Sequence, residues 1–226
     1  MFLDAPVACA AMQLADLRED VAAACRRLAA DGLVHATAGN VSARDGDLIA
    51  ITPTGARLEE LRAEEVAVVD RSGAQVDGAL APTSELELHL GVVERFGAGA
   101  VVHTHAPFAT ALSCVLDEVP LVHYEMLMLG GPVRVAPYAT FGTPELAAGC
   151  LDALDGRTAA LMANHGAITW GSDLAGALAA TEVLEWACEV YWRAAHLGTP
   201  RVMDDAAREE FMTALTQRGY GRKEAR

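Results

Sequence analysis

The stretch AVVHTHAPFAT, Ala100 to Thr110, decides how this chain is read. Its run Ala100-Val101-Val102 has the character of a buried strand, in which successive side chains point to opposite faces with a period of two. His103 and His105 therefore share a face. Two neutral imidazoles on a rigid strand make a chelating edge for a borderline metal such as zinc, because the scaffold has already removed most of their freedom. An isolated HxH is more often a pair of hydrogen-bonded histidines at a strand end, since two ligands do not make a site. More ligands must come from elsewhere. The five cysteines show no CxxC pairing and read as reduced core thiols, so the other ligands are to be sought among His and carboxylates.

Working outward from Ala100, helices and strands interleave. Upstream, Asp16 to Ala30 has helical periodicity, with Leu17, Val21, Ala24, Cys25 and Leu28 on one face and Gly32 as its stop. The small residues Thr37 to Asn40 break that pattern and lead to a strand over Leu48 to Ile51 and a Pro-Thr-Gly turn. A strand near Val66 to Val69 precedes a turn over RSGAQVDG. PTSELELHLGVVERF then reads as a helix whose start carries the Ser84/Glu87 spacing of a capping box. Downstream, a helix is expected over Pro107 to Leu116. Short strands punctuated by Gly130-Gly131-Pro132 follow, then a helix from Pro144 with Thr143 as N-cap. TAALMANHGAITW is an apolar strand broken at Asn164-His165-Gly166. The stretch Asp173 to Leu197 is a long helix ended by Gly198-Thr199-Pro200.

This pattern predicts a single α/β domain over 1–226, with the tail from about 203 flexible. The GAGA at Gly97 to Ala100 precedes a strand, whereas a dinucleotide loop follows one, so that reading fails. His165 supplies a third ligand candidate, at a strand end where the following glycine lets the chain turn sharply.

Composition narrows the chemistry. A formal charge of -14 argues against a nucleic-acid partner, because phosphate backbones need clustered Lys and Arg. It leaves room for a small phosphorylated ligand held by backbone N–H groups at turns and helix ends. Of the 17 basic residues only Lys223 is a lysine, and it lies in a polar tail, so lysine-imine catalysis is not expected. No basic n-region and no apolar run near 18 residues is present, which leads us to expect a cytoplasmic protein that does not enter the membrane.

Taken together, TAGNVS, ITPTG, PTSE, VVHTHA, HY, GG, APYATFGT and NHG, in that order between about Leu33 and Gly198, resemble the class II aldolase/adducin family. That resemblance implies a three-layer αβα fold around a central, mainly antiparallel sheet, assembled as a homotetramer with active sites between subunits. It implies one Zn2+ per subunit on His103, His105 and His165, and Glu85 as the acid/base carboxylate. It assigns the substrate phosphate to Gly39, Asn40, Thr54, Gly55, Thr83 and Ser84, and gives Tyr124 a part across the subunit boundary.

Elementary chemistry agrees with that ligand set. Three histidines leave an open metal position, as catalytic zinc requires, and a hydroxyketone phosphate chelated there would have its enediolate stabilised. The apolar residues after Glu85 predict a carboxylate of raised basicity, offset by the helix dipole and the metal. Glu85 and His89 also lie at i,i+4, but a helical His beside leucines reads as packing or as an orienting partner, not as a ligand. Tyr124 reads equally as a core tyrosine with its hydroxyl satisfied.

The reaction expected is cleavage of a ketose 1-phosphate to dihydroxyacetone phosphate and an aldehyde. Decarboxylation or dehydration of a phosphorylated sugar or sugar acid is the alternative on the same site. Epimerisation is disfavoured, because the family's 4-epimerases would place Asp where Glu85 stands. A non-catalytic adducin-like scaffold would have lost the metal ligands, and all three are present.

Overall fold

The computed structural model describes residues 12–217. It shows one nine-stranded sheet among them, in the spatial order β4-β3-β2-β1-β5-β9-β8-β7-β6. In chain order the elements are α1 (Ala15–Ala30), β1 (Asn40–Asp45), β2 (Leu48–Ile51), β3 (Ala67–Asp70), β4 (Gln75–Asp77), α2 (Leu86–Phe96), β5 (Ala100–Thr104) and α3 (Pro107–Ser113). They continue with β6 (Glu118–Val119), β7 (Val133–Ala136), α4 (Pro144–Ala153), β8 (Ala159–Met162), β9 (Gly166–Gly171), α5 (Leu174–Leu197) and α6 (Asp205–Gln217). Every pairing is antiparallel except β7 with β8.

The strands sort their side chains by parity into two apolar layers. Val102, Leu161 and Ala167 join the layer covered by α1, α3 and α5, while Val101, Ala160, Met162 and Ile168 join the layer covered by α2 and α4. This is the three-layer αβα arrangement. Because both faces of β5 are covered, all five of its residues are buried, which explains why that strand reads as a continuous valine run.

Two strands went unread in the sequence. NVSARD is β1, a central strand between β2 and β5, and its Asn and Ser, turn formers by type, sit in a strand because their polar groups find buried partners, described below. Gln75–Asp77 is β4, paired to β3; the turn there is confined to the residues after Asp70, whose carboxylate accepts from the Ser72 and Ala74 N–H groups.

The Ser84/Glu87 capping box does not form. Helix α2 begins at Leu86 with Glu85 in the cap position and no side-chain cap; the Glu85 N–H donates to Thr83 Oγ1 at 3.3 Å, and its carboxylate turns into the protein. Thr143 caps α4 as expected, and Asp173, read in the sequence as the first residue of α5, is its cap. Thr143 Oγ1 accepts from Leu146 N–H, and Asp173 accepts from Gly176 N–H.

Helix α5 does more than cover the sheet. Both Glu185 carboxylate oxygens accept from the Phe108 and Ala109 N–H groups at 2.8 Å, which ties the first turn of α3 to α5 three residues beyond His105. The tail contributes α6, whose Phe211 packs on Tyr124 with ring centroids 5.0 Å apart and planes tilted by 33°; Lys223 lies outside the described residues. Cys25, Cys150 and Cys188 are buried thiols and Cys114 is exposed. No helix among the described residues is long and apolar enough to cross a membrane.

Candidate active site

His103 sits on β5 in register with Asn40 of β1 and Ile168 of β9. His105 follows just past the strand end, and His165 lies on the turn between β8 and β9. Sheet pairing therefore brings the NHG turn beside HTH. The three rings stand edge-on to one another with each pair of centroids 4.9 Å apart, and one ligand nitrogen from each falls within 4.8 Å of the others.

The turn is not made by the glycine, as the sequence suggests. Asn164 holds the left-handed conformation, φ 56°, which Asn tolerates better than most residues. Gly166 is needed for space, because a Cβ there would lie 2.3 Å from the Thr104 carbonyl oxygen and 3.0 Å from the His105 ring. Gly166→Ala is expected to destabilise the protein by about 3 kcal/mol and to weaken metal binding with it. Thermal melting and metal content check this; an alanine protein matching the parent in both would remove the close approach as the reason.

The protons on the imidazoles follow from their surroundings. His103 Nδ1 lies 2.9 Å from the Ala167 carbonyl oxygen, which only accepts, so Nδ1 carries the proton and Nε2 presents a lone pair. That Nε2 faces His105 Nε2 at 3.0 Å. Burial, followed by the charge of the neighbouring histidines, pushes His105 down to about 4, and burial lowers His165 also. Both are neutral near pH 7. Three imidazoles converging on one point are a donor set for a borderline divalent cation.

Glu85 completes the cluster. Its Oε2 accepts from Asn40 Nδ2 at 2.9 Å and lies 3.2 Å from His103 Nε2. Its Oε1 is 3.7 Å from His165 Nε2 and, though buried, has no hydrogen-bond partner among the described residues. An orphaned carboxylate oxygen aimed at three imidazole nitrogens fits a site built around a cation, since a buried acceptor otherwise stays unpaired at a cost of about 1–3 kcal/mol. The expected rise in Glu85 basicity is corrected here. Burial pushes the carboxyl up, but His103, the Asn40 amide and His165 together hold it below the usual glutamate range.

The predicted phosphate residues fall on three neighbouring loops. Asn40 is the first residue of β1, and Thr52, two residues before Thr54, bonds Val41 through its hydroxyl and its N–H. A bridge between Pro53 and Pro82 sets Thr54-Gly55 beside Thr83-Ser84. Gly39 has φ 96°, and a Cβ there would lie 2.9 Å from the His103 carbonyl oxygen, so this loop rests directly on the histidine strand. The Asn40 side chain is occupied by Glu85 and His89, and its backbone lies in the β1–β5 ladder opposite His103. The loops themselves carry no basic side chain, but Arg57 and Arg62 line the same groove as Thr54 and Gly55.

Tyr124 is not a core tyrosine. It is 45% exposed, and its ring packs on His123 and Phe211, not on the histidine cluster of its own chain.

His89 holds no place in the cluster of ligand nitrogens. It is fully buried, between Ser42 and Asn40, as the orienting reading expected. Ser42 was missed. Once NVS is read as a strand, the period of two puts Asn40 and Ser42 on one face, and that was the available signal.

Three convergent imidazoles with a buried carboxylate beside them, on a mainly antiparallel αβα sheet, place the chain among metal-dependent enzymes. The sequence model of the class II aldolase and adducin N-terminal domain matches residues 19–192. The chain belongs to that family, and it is a class II aldolase, a metal-dependent carbon–carbon lyase.

It is 40% identical over 189 residues to a 5-methylthioribulose-1-phosphate/5-deoxyribulose-1-phosphate aldolase of Rhodospirillum rubrum, covering 83% of this chain and 85% of that one. It is 33% identical over 215 residues to a 5-deoxy-D-ribulose 1-phosphate aldolase of Bacillus thuringiensis, covering 94% of this chain and all of that one. The solved structure of an L-fuculose 1-phosphate aldolase superposes with a TM-score of 0.86 at 33% identity, covering 91% of this chain and 98% of that one.

Proposed function

We propose that the protein is a zinc-dependent aldolase that cleaves a ketose 1-phosphate with an apolar far end to dihydroxyacetone phosphate and an aldehyde. The observation that carries this is the buried, unpartnered Oε1 of Glu85 beside the convergent histidines. The sugars in the relatives' names, 5-methylthioribulose, 5-deoxyribulose and L-fuculose, all end in a methyl or methylthio group, which supports the apolar end.

His103, His105 and His165 hold the ion. When bound, it supplies Lewis-acid stabilisation to substrate oxygens on which negative charge develops. In the condensation direction Glu85 takes a proton from the carbon next to the carbonyl of dihydroxyacetone phosphate. The carbon then adds to the aldehyde, and the partner subunit's Tyr124 donates its hydroxyl proton to the aldehyde oxygen. Cleavage runs through the same steps in reverse, with Glu85 returning the proton to carbon. Backbone N–H groups and hydroxyls of Gly39, Asn40, Thr54, Gly55, Thr83 and Ser84 orient the phosphate.

The working unit is one class II aldolase/adducin-like domain over 1–226 in a cytoplasmic homotetramer. Exposed Tyr124, Trp186, Trp192 and Leu197 support the assembly, because apolar surface of this kind marks a contact to be covered. The reduced buried thiols fit that compartment.

Tyr124→Phe is expected to leave proton exchange at dihydroxyacetone phosphate within about 2-fold of the parent while lowering cleavage by about 10²-fold or more. Equal loss of both in a folded protein would give Tyr124 a different job. A panel of ketose 1-phosphates and sugar-acid phosphates, with products identified by mass, tests the reaction itself. Release of dihydroxyacetone phosphate from 5-deoxyribulose, 5-methylthioribulose or fuculose 1-phosphate is the expected result; loss of carbon dioxide or water instead would replace the aldolase reading.

A further inference from the structure

The proposed reaction leaves three buried polar groups unused: the Ser42 hydroxyl, the His89 imidazole and the amide oxygen of Asn40. Ser42 is 1% exposed and His89 0%, so each must be satisfied within the protein. Ser42 Oγ lies 2.7 Å from His89 Nδ1, His89 Nε2 is hydrogen-bonded to Asn40 Oδ1, and Asn40 Nδ2 donates to Glu85 Oε2. The four residues form one unbranched chain ending on the carboxylate.

The direction of every proton in that chain follows from its last member. A carboxylate only accepts, so the NH2 of Asn40 must face Glu85, and its oxygen must face His89. His89 Nε2 therefore donates. Burial pushes His89 down to about 3, so the ring is neutral and carries one proton; Nδ1 is then a bare acceptor, and Ser42 must donate to it. The carboxylate thus sets the orientation of an amide on β1, the tautomer of a histidine on α2 and the donor role of a hydroxyl on the same face of β1.

We propose that Ser42 and His89 are positioning residues which, acting through Asn40, hold Glu85 with Oε2 engaged and Oε1 bare for the reacting carbon. This rests on the reading of Glu85 as the proton-transferring group. Without the Ser42 hydroxyl, His89 Nδ1 is a buried acceptor without its partner, and the ring loses one of the two bonds that fix its place. A ring that shifts to find another donor withdraws its Nε2–H from Asn40 Oδ1, and the amide that holds Glu85 Oε2 loses its support. The base then loses its fixed position while the metal ligands keep theirs.

The test uses the full chain as Ser42→Ala, Ser42→Thr, His89→Gln and Glu85→Gln. Nitrogen-15 NMR of the histidine side chains is expected to show His89, identified as the ring missing from His89→Gln, as a neutral Nε2–H tautomer in the parent, and to show its bare Nδ1 resonance shifted in Ser42→Ala as the hydrogen bond to it is lost. Exchange of the carbon-bound proton of dihydroxyacetone phosphate should fall about 10-fold in Ser42→Ala, with half-saturation and metal content unchanged. Ser42→Thr, which keeps the hydroxyl, should recover to within about 3-fold of the parent.

An Nδ1–H tautomer in the parent, an undiminished rate in Ser42→Ala, or a threonine protein as slow as the alanine one would each overturn the proposal. The two ideas fail separately: parent-like exchange in Glu85→Gln defeats the role of Glu85 itself, whereas a slow Glu85→Gln beside a fast Ser42→Ala defeats only the positioning chain.

Discussion

Glu85→Gln is expected to keep its metal and to slow exchange of the dihydroxyacetone phosphate proton by about 10²- to 10⁴-fold, the usual contribution of a positioned general base. The substitution is nearly isosteric. A glutamine oxygen in place of Oε2 still accepts from Asn40 Nδ2, so the carboxamide stays where the carboxylate lies. What changes is the unpartnered Oε1, replaced by an NH2 that donates and has no basic lone pair. The fold should not suffer, because a neutral amide is less costly to desolvate than a buried carboxylate. Deuterium exchange followed by NMR, alongside a thermal melt and metal analysis, separates these effects. An undiminished exchange rate in a metal-loaded protein would take the proton-transfer role away from Glu85.

His165→Ala is expected to lower metal affinity by more than about 100-fold, since even residues that only orient a ligand are worth 10- to 100-fold. Activity should fall in parallel. His165 is the best of the three to remove. Its side chain is 15% exposed against 1% for His103, and it projects from a turn whose shape is held by Asn164 and Gly166. Truncation therefore opens a gap near solvent and not in the core. The metal-free variant should melt close to the metal-free parent, and only the stabilisation that added zinc gives the parent should disappear. One tightly held zinc per chain in His165→Ala would remove it from the ligand set.

The parts of the fold visible in the sequence were those governed by local rules. The helix read over Asp173 to Leu197 has a long helical stretch and a glycine stop; the Pro144 helix has its threonine cap; and β5 announces itself by its valines. β1 was hidden for a physical reason. A central strand carrying Asn40 and Ser42 contradicts strand propensity, and only partners 45 and 47 residues away, Glu85 and His89, satisfy those polar groups. The capping box failed similarly: Ser84 and Glu87 have the right spacing, but the Glu85 carboxylate is drawn inward to Asn40 and His103, and the first turn of α2 adapts to that.

The sequence by itself determined the ligand types and the family, because eight short motifs in one order are far more restrictive than any one of them, and HTH on a strand puts two imidazoles together whatever surrounds it. The tertiary structure alone decided that His165 meets them, that Glu85 is held acidic and not made more basic, and that Asn40 serves the carboxylate with its side chain. Those outcomes depend on distances between residues far apart in the chain and on burial, and the antiparallel register of β1, β5 and β9 is what sets both.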